Sequence, residues 1–420
     1  MMRRHAHWVL CTAVALFGFG CEDDDPAETP MADMGMGGMG GQGGQGGVGG
    51  EGGMGGVGGE GGMGGVGGEG GMGGVGGEGG MGGVGGDGGM GGVGGEGGMG
   101  GMGGQPAECA AEAGDYPGGD WPACISDNGQ WNLIDPEGLS TTARIASFEM
   151  IADLLWRNDS APTQQDFIDA RIEYAIDQGL DSRVQRRFDA HYPPPPDGAT
   201  CRDEGIPEQY PDHCVGPAGQ LPVIVGAFQA GSEGMEPWVN AARVEAGLLW
   251  FLYSSVYKES FSCAEVAKDC DSSWSYYTGT RQLDEEPLGY ASYVERAYPA
   301  AHRAMFQALL AVRCWRDLDS AEIAMDAALH QEALRQLDTA LDRSLAVILI
   351  DRVQMWEAAS GDAKAAAWAF LEVLGPVIDR AARAQDAAAA DRLMAAWDDA
   401  ATADADAIVA DLEMLFPCAE

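Results

Sequence analysis

The residues best suited to chemistry in this chain of 420 are four histidines beyond residue 107: His191, His213, His302 and His330. Zinc-binding helices place two histidines one turn apart, as in H-E-x-x-H, and none of these four has such a partner. No cysteine pair has the C-x-x-C spacing of a structural zinc site. The sequence therefore predicts neither a metal site nor a cofactor.

One segment has the outline of a nucleophile elbow. Residues 231–234 read Gly-Ser-Glu-Gly, but Ala230 occupies the position of the first glycine in G-x-S-x-G. The motif also needs a strand–turn–helix context, which the surrounding sequence does not support. We interpret this segment as a loop before a helix that begins at Pro237. No catalytic residue is predicted, and the sequence favours a non-catalytic role over an enzyme.

Aromatic side chains that carry polar groups form the best candidate for a binding pocket. They lie in a predicted loop over 270–279 and in the apolar middle of a helix predicted over 237–258: Trp274, Tyr276, Tyr277, Trp250 and Tyr253. Such residues line ligand pockets, but they also seal helix ends and fill cores. Packing is the simpler interpretation, and a pocket lined by both segments is the alternative.

Residues 1–20 have the layout of a secretory signal peptide. Arg3 and Arg4 precede an apolar run over 8–20 that is too short to span a bilayer. Residues 18–21, Gly-Phe-Gly-Cys, resemble the lipobox of bacterial lipoproteins. In that family the signal is cut before the cysteine, which carries the lipid, so the resemblance implies acylation of Cys21. A plain signal peptide cleaved near Cys21 is the alternative.

A low-complexity tract follows an acidic linker over 21–34. Over 35–104, 47 of 70 residues are glycine and every third residue is another type. Glycine has no side chain to bury and loses the most backbone entropy on ordering, so we predict a disordered tether over 35–106, about 45 Å from end to end. The alternatives are a threefold extended helix, and a Cu(I) site formed by eleven methionines of the tract and its lead-in.

Eight cysteines follow residue 107: Cys109, Cys124, Cys201, Cys214, Cys263, Cys270, Cys314 and Cys418. An even number in an exported chain favours disulfides. Pairing each cysteine with its neighbour would close a proline-rich loop between Cys201 and Cys214 and a short segment between Cys263 and Cys270. It would also join Cys109 to Cys124 and tie Cys418 to a helix through Cys314. The pairing stays open, because eight cysteines allow 105 connectivities.

Hydrophobic spacing beyond residue 107 is that of helices. Ser140 is placed to cap a helix, and a second helix over 163–180 has one apolar side: Phe167, Ile168, Ile172, Ala175 and Ile176. A third covers 182–190, and four prolines at 193–196 then open a long loop to residue 220.

The second half of the region is more strongly helical. Residues 221–225 could form a strand or a buried helix, and 237–258 is the predicted central buried helix. Further helices are predicted over 290–318 with a bend near Pro299, 321–359, 362–385 with an interruption at Gly375, and 386–416 with a break near Thr402. The expected fold is therefore an all-α helical bundle array stapled by disulfides.

The charge of the chain restricts its partners. Its formal net charge is −41, and residues 107–420 contain 53 acidic and 22 basic side chains. Such a surface repels phosphate backbones and anionic lipid headgroups, which excludes nucleic acid as a partner. Only three lysines occur, so arginine supplies nearly all the positive charge.

A tryptophan- and tyrosine-rich segment in an exported helical domain resembles imelysin-like envelope lipoproteins. That resemblance rests on residues 270–279 and implies a fold of two helical bundles, with iron or haem acquisition or peptidase-like activity in some members. The Gly-x-His-x-x-Glu motif of that family is absent from this sequence.

These patterns together predict four regions: a signal peptide over 1–20, a linker over 21–34, a tether over 35–106 and a helical domain over 107–420 with a possible sub-boundary near 193–235. The expected protein is lipid-anchored in the bacterial cell envelope, on the inner or the outer membrane. Its helical domain is expected to bind an unidentified protein or small molecule, or to serve structurally. Imelysin-like metal or haem uptake, or peptidase-like activity, is the alternative.

The disulfide prediction is testable by mass. Four disulfides make the protein gain about 8 Da on reduction, two for each bond. Intact mass spectrometry of the purified full-length protein before and after reduction measures this gain. A Cys201→Ser/Cys214→Ser variant should gain about 6 Da, if those two cysteines are paired with each other. An unchanged wild-type mass would contradict the prediction.

Overall fold

The computed structural model describes residues 129–134, 139–176, 179–319 and 327–417. Every regular element in these ranges is helical, which confirms the all-α prediction. The predicted signal peptide, Cys21, the linker and the glycine tract lie outside the described residues. So do Cys109, Cys124, Cys418 and the side chain of Cys314.

The first half of the described chain contains short helices and one long helix. The α-helices are α1 (Thr141–Leu155), α2 (Gln164–Tyr174), α3 (Leu180–Val184), α4 (Ile206–Gln209), α5 (Leu221–Ser232) and α6 (Pro237–Ser262). A 3-10 turn (Pro196–Gly198) and a π-helical turn (Gly216–Gln220) lie between α3 and α5.

The second half is dominated by longer helices. They are α7 (Lys268–Thr278), α8 (Gly289–Ala297), α9 (Pro299–Asp319), α10 (Ala327–Ala358), α11 (Gly361–Leu374), α12 (Asp379–Gln385), α13 (Ala387–Trp397) and α14 (Ala405–Leu415). A 3-10 turn (Gly375–Ile378) separates α11 from α12, at the predicted interruption. The gap between α13 and α14 contains the break predicted near Thr402.

Helix α6 is the centre of the fold, as predicted. It begins at Pro237, where a missing backbone N–H costs nothing because the first N–H groups of a helix have no partner within it. Buried side chains occur on all its sides, including Leu249, Phe251 and Leu252. Its largest packing surfaces are against α11, α7 and α5, and it also contacts α10 and α8.

The first two helices start differently. Thr163 forms a capping box with Asp166: the Thr163 hydroxyl accepts from the Asp166 N–H, and the Asp166 carboxylate accepts from the Thr163 N–H. The prediction that the Ser140 side chain caps α1 is wrong. Ser140 has helical backbone angles and makes no side-chain cap; its hydroxyl accepts instead from the buried guanidinium of Arg144 at 3.3 Å.

The predicted apolar side of the second helix is right for Phe167 and wrong for its other four residues. Helix α2 ends at Tyr174, and it buries Phe167, Ala170 and Tyr174. Ile168 and Ile172 point away from the core and are 42% and 62% exposed. The positions 167, 170 and 174 follow helical spacing as well as the predicted set does, and the packing of α2 against α1 and α5 selects them.

Residues 270–279 form most of a helix, so the predicted loop is also wrong. Asp269 and Asp271 lie in the first turn of α7, where acidic groups are favourable beside the helix N-terminus. Gly279 ends the helix in the left-handed conformation with φ of 67°. The aromatic side chains of this segment therefore project from a helix that packs against α6.

Proline and cysteine shape the connections as expected. Tyr298 is extended between α8 and α9, so the bend predicted near Pro299 is a break between two helices. Disulfides join Cys201 to Cys214 within the loop after α3, and Cys263 to Cys270 between α6 and α7. Their Cα atoms are 5.3 Å and 5.0 Å apart, within the usual range.

One hydrophobic core extends through the described residues, from Trp131 to Phe416. It includes Ile224 and Phe228 from the segment of the predicted sub-boundary, together with residues on both sides of that segment. None of the helices in the described ranges combines the length and the apolar run that a bilayer span requires.

Replacing Gly216 tests how closely the loop after α3 packs against the helices. A Cβ atom on Gly216 would lie 2.8 Å from the backbone nitrogen and oxygen of Arg187 and would also collide with the Val184 carbonyl. Gly216→Ala should therefore lower the free energy of unfolding by about 1–3 kcal/mol, measured in urea. Gly226→Ala is the matched control: its Cβ meets nothing within 4 Å. That variant should be stabilised by roughly 0.5–1 kcal/mol, since alanine favours helix. Equal stability of the two variants would contradict this packing.

Candidate functional site

The aromatic residues predicted to line a pocket lie mainly in the core. Trp274, Tyr276, Tyr277 and Tyr253 are buried. The Trp250 ring is half-buried and lies over Gly219, where a Cβ atom would come within 2.9 Å of a ring carbon.

Trp274 holds the start of the described chain. Its indole ring stacks on that of Trp131, with centroids 5.5 Å apart and planes 4° apart. The Trp131 indole N–H donates to the buried carboxylate of Asp271 at 3.0 Å, and the other oxygen of Asp271 accepts from the Ile134 N–H at 2.8 Å. Gln282 donates to and accepts from the Trp131 backbone. These contacts hold the start of the described chain against α7 and the segment that follows it.

The tyrosines fill gaps between helices. The Tyr276 ring packs edge-on against Phe251 of α6. The Tyr277 hydroxyl lies 3.1 Å from Nδ1 of the buried His302 on α9. Burial lowers the pKa of His302 to about 4, so this imidazole is neutral at physiological pH. The Tyr276 hydroxyl accepts from the buried Arg144 guanidinium at 3.4 Å. These contacts connect α7 to α6, α9 and α1, and each tyrosine hydroxyl already has a partner within the core.

Sequence reasoning missed the densest group of ionisable side chains in the described region. His191, on the loop after α3, lies between two carboxylates. Its Nδ1 is 2.6 Å from Asp189 and its Nε2 is 2.8 Å from Asp338 on α10. The ring stacks on Tyr257 of α6 with centroids 3.6 Å apart. The His191 side chain is only 7% exposed.

The charges of this His191 cluster continue along α10. Arg380 on α12 donates to Asp338 at 2.9 Å and to Asp342 at 3.2 Å. The Tyr253 hydroxyl of α6 donates to Asp342 at 2.7 Å. Because residues four apart lie on one side of a helix, one guanidinium reaches both carboxylates. The cluster therefore joins α6, α10, α12 and the loop.

The pKa values follow from these contacts. Burial alone would lower the pKa of His191, but hydrogen bonds to Asp189 and Asp338 outweigh it and raise that pKa to about 9. Burial and the negative charge of Asp338 raise the pKa of Asp342 to about 7. Burial opposes ionisation of Asp338 as well, yet His191 and Arg380 lower its pKa below the ordinary value.

The His191 cluster is suited to joining helices through ion pairs rather than to proton transfer or metal binding. Both ring nitrogens of His191 face carboxylate oxygens, which accept hydrogen bonds, so the ring is an imidazolium with both N–H groups in use. No ring nitrogen is left to take a proton or to coordinate a metal. Across the described ranges, no three His, Cys, Asp or Glu side chains come together as a metal site would require.

Two further buried ion pairs involve carboxylates of α6. Arg187 donates to Glu259 at 2.9 Å. Burial opposes the charge on Glu259, but Lys258 and Arg187 outweigh it and lower its pKa to about 2. Nearer the start of α6, Arg352 of α10 donates to Glu245 at 2.8 Å. The Glu245 carboxylate also accepts from the Tyr293 hydroxyl at 2.9 Å.

A solvent-facing groove lies between the start of α6 and the turn that joins α10 to α11. Its volume is about 460 Å³. Its walls contain two tryptophans, two cations and two carboxylates: Trp356, Trp368, Arg243, Lys364, Glu236 and Glu372. We call this the Trp356 groove.

The groove walls are held by internal contacts. The rings of Trp356 and Trp368 have centroids 4.9 Å apart, and the Lys364 ammonium lies 4.8 Å from the Trp356 ring. The Trp368 indole N–H donates to Glu372 at 3.0 Å. The other oxygen of Glu372 is 3.8 Å from the Arg243 guanidinium.

A second cavity of about 380 Å³ lies between α1, α8 and the segment before α8. Its wall includes Glu149, Arg157, Glu295 and Arg296. Neither cavity is lined by any of the five aromatic residues that the sequence singled out.

One signal for the missed residues was present in the sequence. Asp338 and Asp342 are one helical turn apart on α10, a spacing that indicates a shared partner. Their partners, His191 and Arg380, are 147 and 42 residues from Asp338 along the chain, so only the fold identifies them. The Trp356 groove had no comparable signal, because its walls come from separate helices.

No protein-family model, no curated protein and no solved structure matches this chain.

The His191 cluster predicts how stability depends on pH. Because the pKa of His191 rises from 6.5 to about 9 on folding, its contribution is fully present below pH 6.5 and is lost as pH rises through about 9. The wild type should lose roughly 3 kcal/mol more than His191→Gln over this window, as measured by urea unfolding.

His302→Gln is the matched control for this experiment. The pKa of His302 is lowered on folding, so its contribution is fully present above pH 6.5 and falls only at lower pH. This variant should keep the wild-type slope between pH 6.5 and 9 even if it is less stable. The same slope in His191→Gln as in the wild type would count against an ion-paired His191.

Proposed function

We propose that this protein is exported, anchored in the bacterial cell envelope by a lipid on Cys21, and that it presents a non-catalytic binding domain on a glycine tether. The observation that carries the binding role is the Trp356 groove. Aromatic surface with a few charged groups around it is the usual composition of a ligand site. A volume of about 460 Å³ is within the range of small-molecule pockets.

The interior charges support binding rather than catalysis. Catalytic groups need a free lone pair or an available proton beside a cavity. His191, Glu245 and Glu259 have their charges compensated by side chains of other helices or loops. None of these three residues lines either cavity described above. Their paired charges hold the helices together and leave the groove as the surface available to a ligand.

The anchor and the tether support delivery to a surface. A multiply acylated cysteine holds a protein stably at a membrane, where a single chain does not. A glycine tether with a span of about 45 Å separates the domain from the bilayer. That distance lets the acidic domain sample its surroundings away from anionic headgroups, which repel it. The imelysin-like alternative stays a prediction, since no comparison bears on it.

Fractionation of cells that produce the full-length chain tests the anchor. We expect Cys21→Ser to move the protein from the membrane fraction to the soluble exported fraction, because the lipid attachment point is gone. Cys11→Ser is the matched control: it changes the other cysteine of the leader by the same atoms. That variant should stay in the membrane fraction, and its mature mass should show the added acyl chains.

Two results would contradict the proposed anchor. One is a Cys21→Ser variant that stays with the membrane after a high-salt wash. The other is a wild-type mature mass that begins near residue 21 with no acyl addition, as a plain signal peptide would produce.

A further inference from the structure

We propose that the Trp356 groove binds a small zwitterion, an amino acid or short peptide with a free ammonium group and a free carboxylate. This inference rests on the binding role proposed above and names its ligand class. It is argued from the charges and aromatic surface of the groove.

The floor of the groove is aromatic. Trp356 and Trp368 are each 6% exposed, and their rings are tilted by 47° to each other. Ala365 and Ala369 add small apolar surface beside them. Such a floor suits the apolar part of a ligand side chain, which gains by leaving water.

Two charges of opposite sign in the groove walls have no ionic partner. Lys364 forms no ion pair among the described residues, and its ammonium lies over the Trp356 ring. Glu236 likewise forms no ion pair within the described ranges, and it lies exposed at the start of α6. Its backbone is in the left-handed region with φ of 35°, a conformation that a non-glycine residue adopts only at a cost. An ammonium group beside Glu236 and a carboxylate beside Lys364 would satisfy both.

A second pair of charges repeats this arrangement. The nitrogen and oxygen of the Arg243–Glu372 pair are 3.8 Å apart, and the two side chains are 38% and 41% exposed. A pair this long and this exposed contributes little to stability, so a ligand can displace it at small cost. The Trp368 N–H keeps Glu372 in place while its other oxygen stays available.

The equal numbers of cations and carboxylates in the groove walls favour a zwitterion over a ligand whose charges are all of one sign. The walls contain two cations and two carboxylates, so a purely anionic or purely cationic ligand would leave charges of one sign unpaired. An uncompensated charge in a partly desolvated site is unfavourable. A molecule with one charge of each sign can pair with both.

The test uses purified full-length protein in detergent and two dipeptides with uncharged side chains: leucyl-leucine and phenylalanyl-alanine. Binding is measured by calorimetry, with tryptophan fluorescence as a second readout. At least one dipeptide should bind saturably. Its N-acetylated form, which lacks the ammonium group, and its C-terminal amide, which lacks the carboxylate, should each bind about fivefold or more weakly.

Variants assign each end of the ligand. Glu236→Gln should weaken the free dipeptide about fivefold but leave the N-acetylated form unchanged, because that form has no ammonium group to lose. Lys364→Met should weaken binding of the free dipeptide but leave binding of its C-terminal amide unchanged. Glu413→Gln and Lys268→Met make the same chemical changes outside the groove and should bind as the wild type does.

Three outcomes would overturn the proposal: no saturable binding of either dipeptide, equal binding of the free and blocked forms, or wild-type binding by both groove variants. The test is independent of anchoring, because it uses purified protein. Failure here with correct fractionation of Cys21→Ser would remove the ligand class alone, whereas failed fractionation with dipeptide binding would remove only the envelope anchor.

Discussion

The burial of α6 on nearly all sides is the constraint on which the other helices depend. A helix without a solvated side must be covered in every direction, and α5, α7, α8, α10 and α11 all contact it. Glu245 restricts how the helices around α6 are arranged. Its buried carboxylate accepts hydrogen bonds from Arg352 of α10 and Tyr293 of α8, so both helices must lie where these side chains reach it. A buried charge without its partner is strongly destabilising, so this pair selects one arrangement of the helices among several that would cover the same apolar surface.

Charge plays the same organising part elsewhere in this acidic protein. Several arginines of the described interior or its edge reach a carboxylate from another part of the chain, including Arg187, Arg352 and Arg380. Arginine suits this task because its planar guanidinium donates several hydrogen bonds and stays charged when buried. The excess of carboxylates has a use here, since two can share one cation, as Asp338 and Asp342 share Arg380. The loop after α3 is held by such a link as well as by its disulfide.

The Trp356 groove is proposed as a binding site because its charged side chains take no part in these buried ion pairs. Side chains whose charges are consumed in holding helices together cannot also serve a ligand, whereas the walls of the Trp356 groove keep charges that the fold does not need. The start of the described chain docks on α7, where Trp131 contacts Trp274 and Asp271. Aromatic residues that resemble pocket residues thus pack this segment against the helices. The groove proposed to bind a ligand lies elsewhere, where α6 begins and α10 turns into α11.

The sequence by itself determined the local features of this protein. Pro237, Pro299 and the Gly375-Pro376 pair marked a helix start and two interruptions, because the backbone limits of proline act on the residues beside it. Hydrophobic spacing predicted the all-α class, and the even number of cysteines favoured disulfides, two of which are described, but the pairing was left open. Only the tertiary structure decided which side of α2 is buried, that the aromatic segment is a helix, and that His191 meets Asp338. Those outcomes depend on contacts between residues far apart in the chain. Local propensity is compatible with several such arrangements, and packing and charge compensation across helices select one of them.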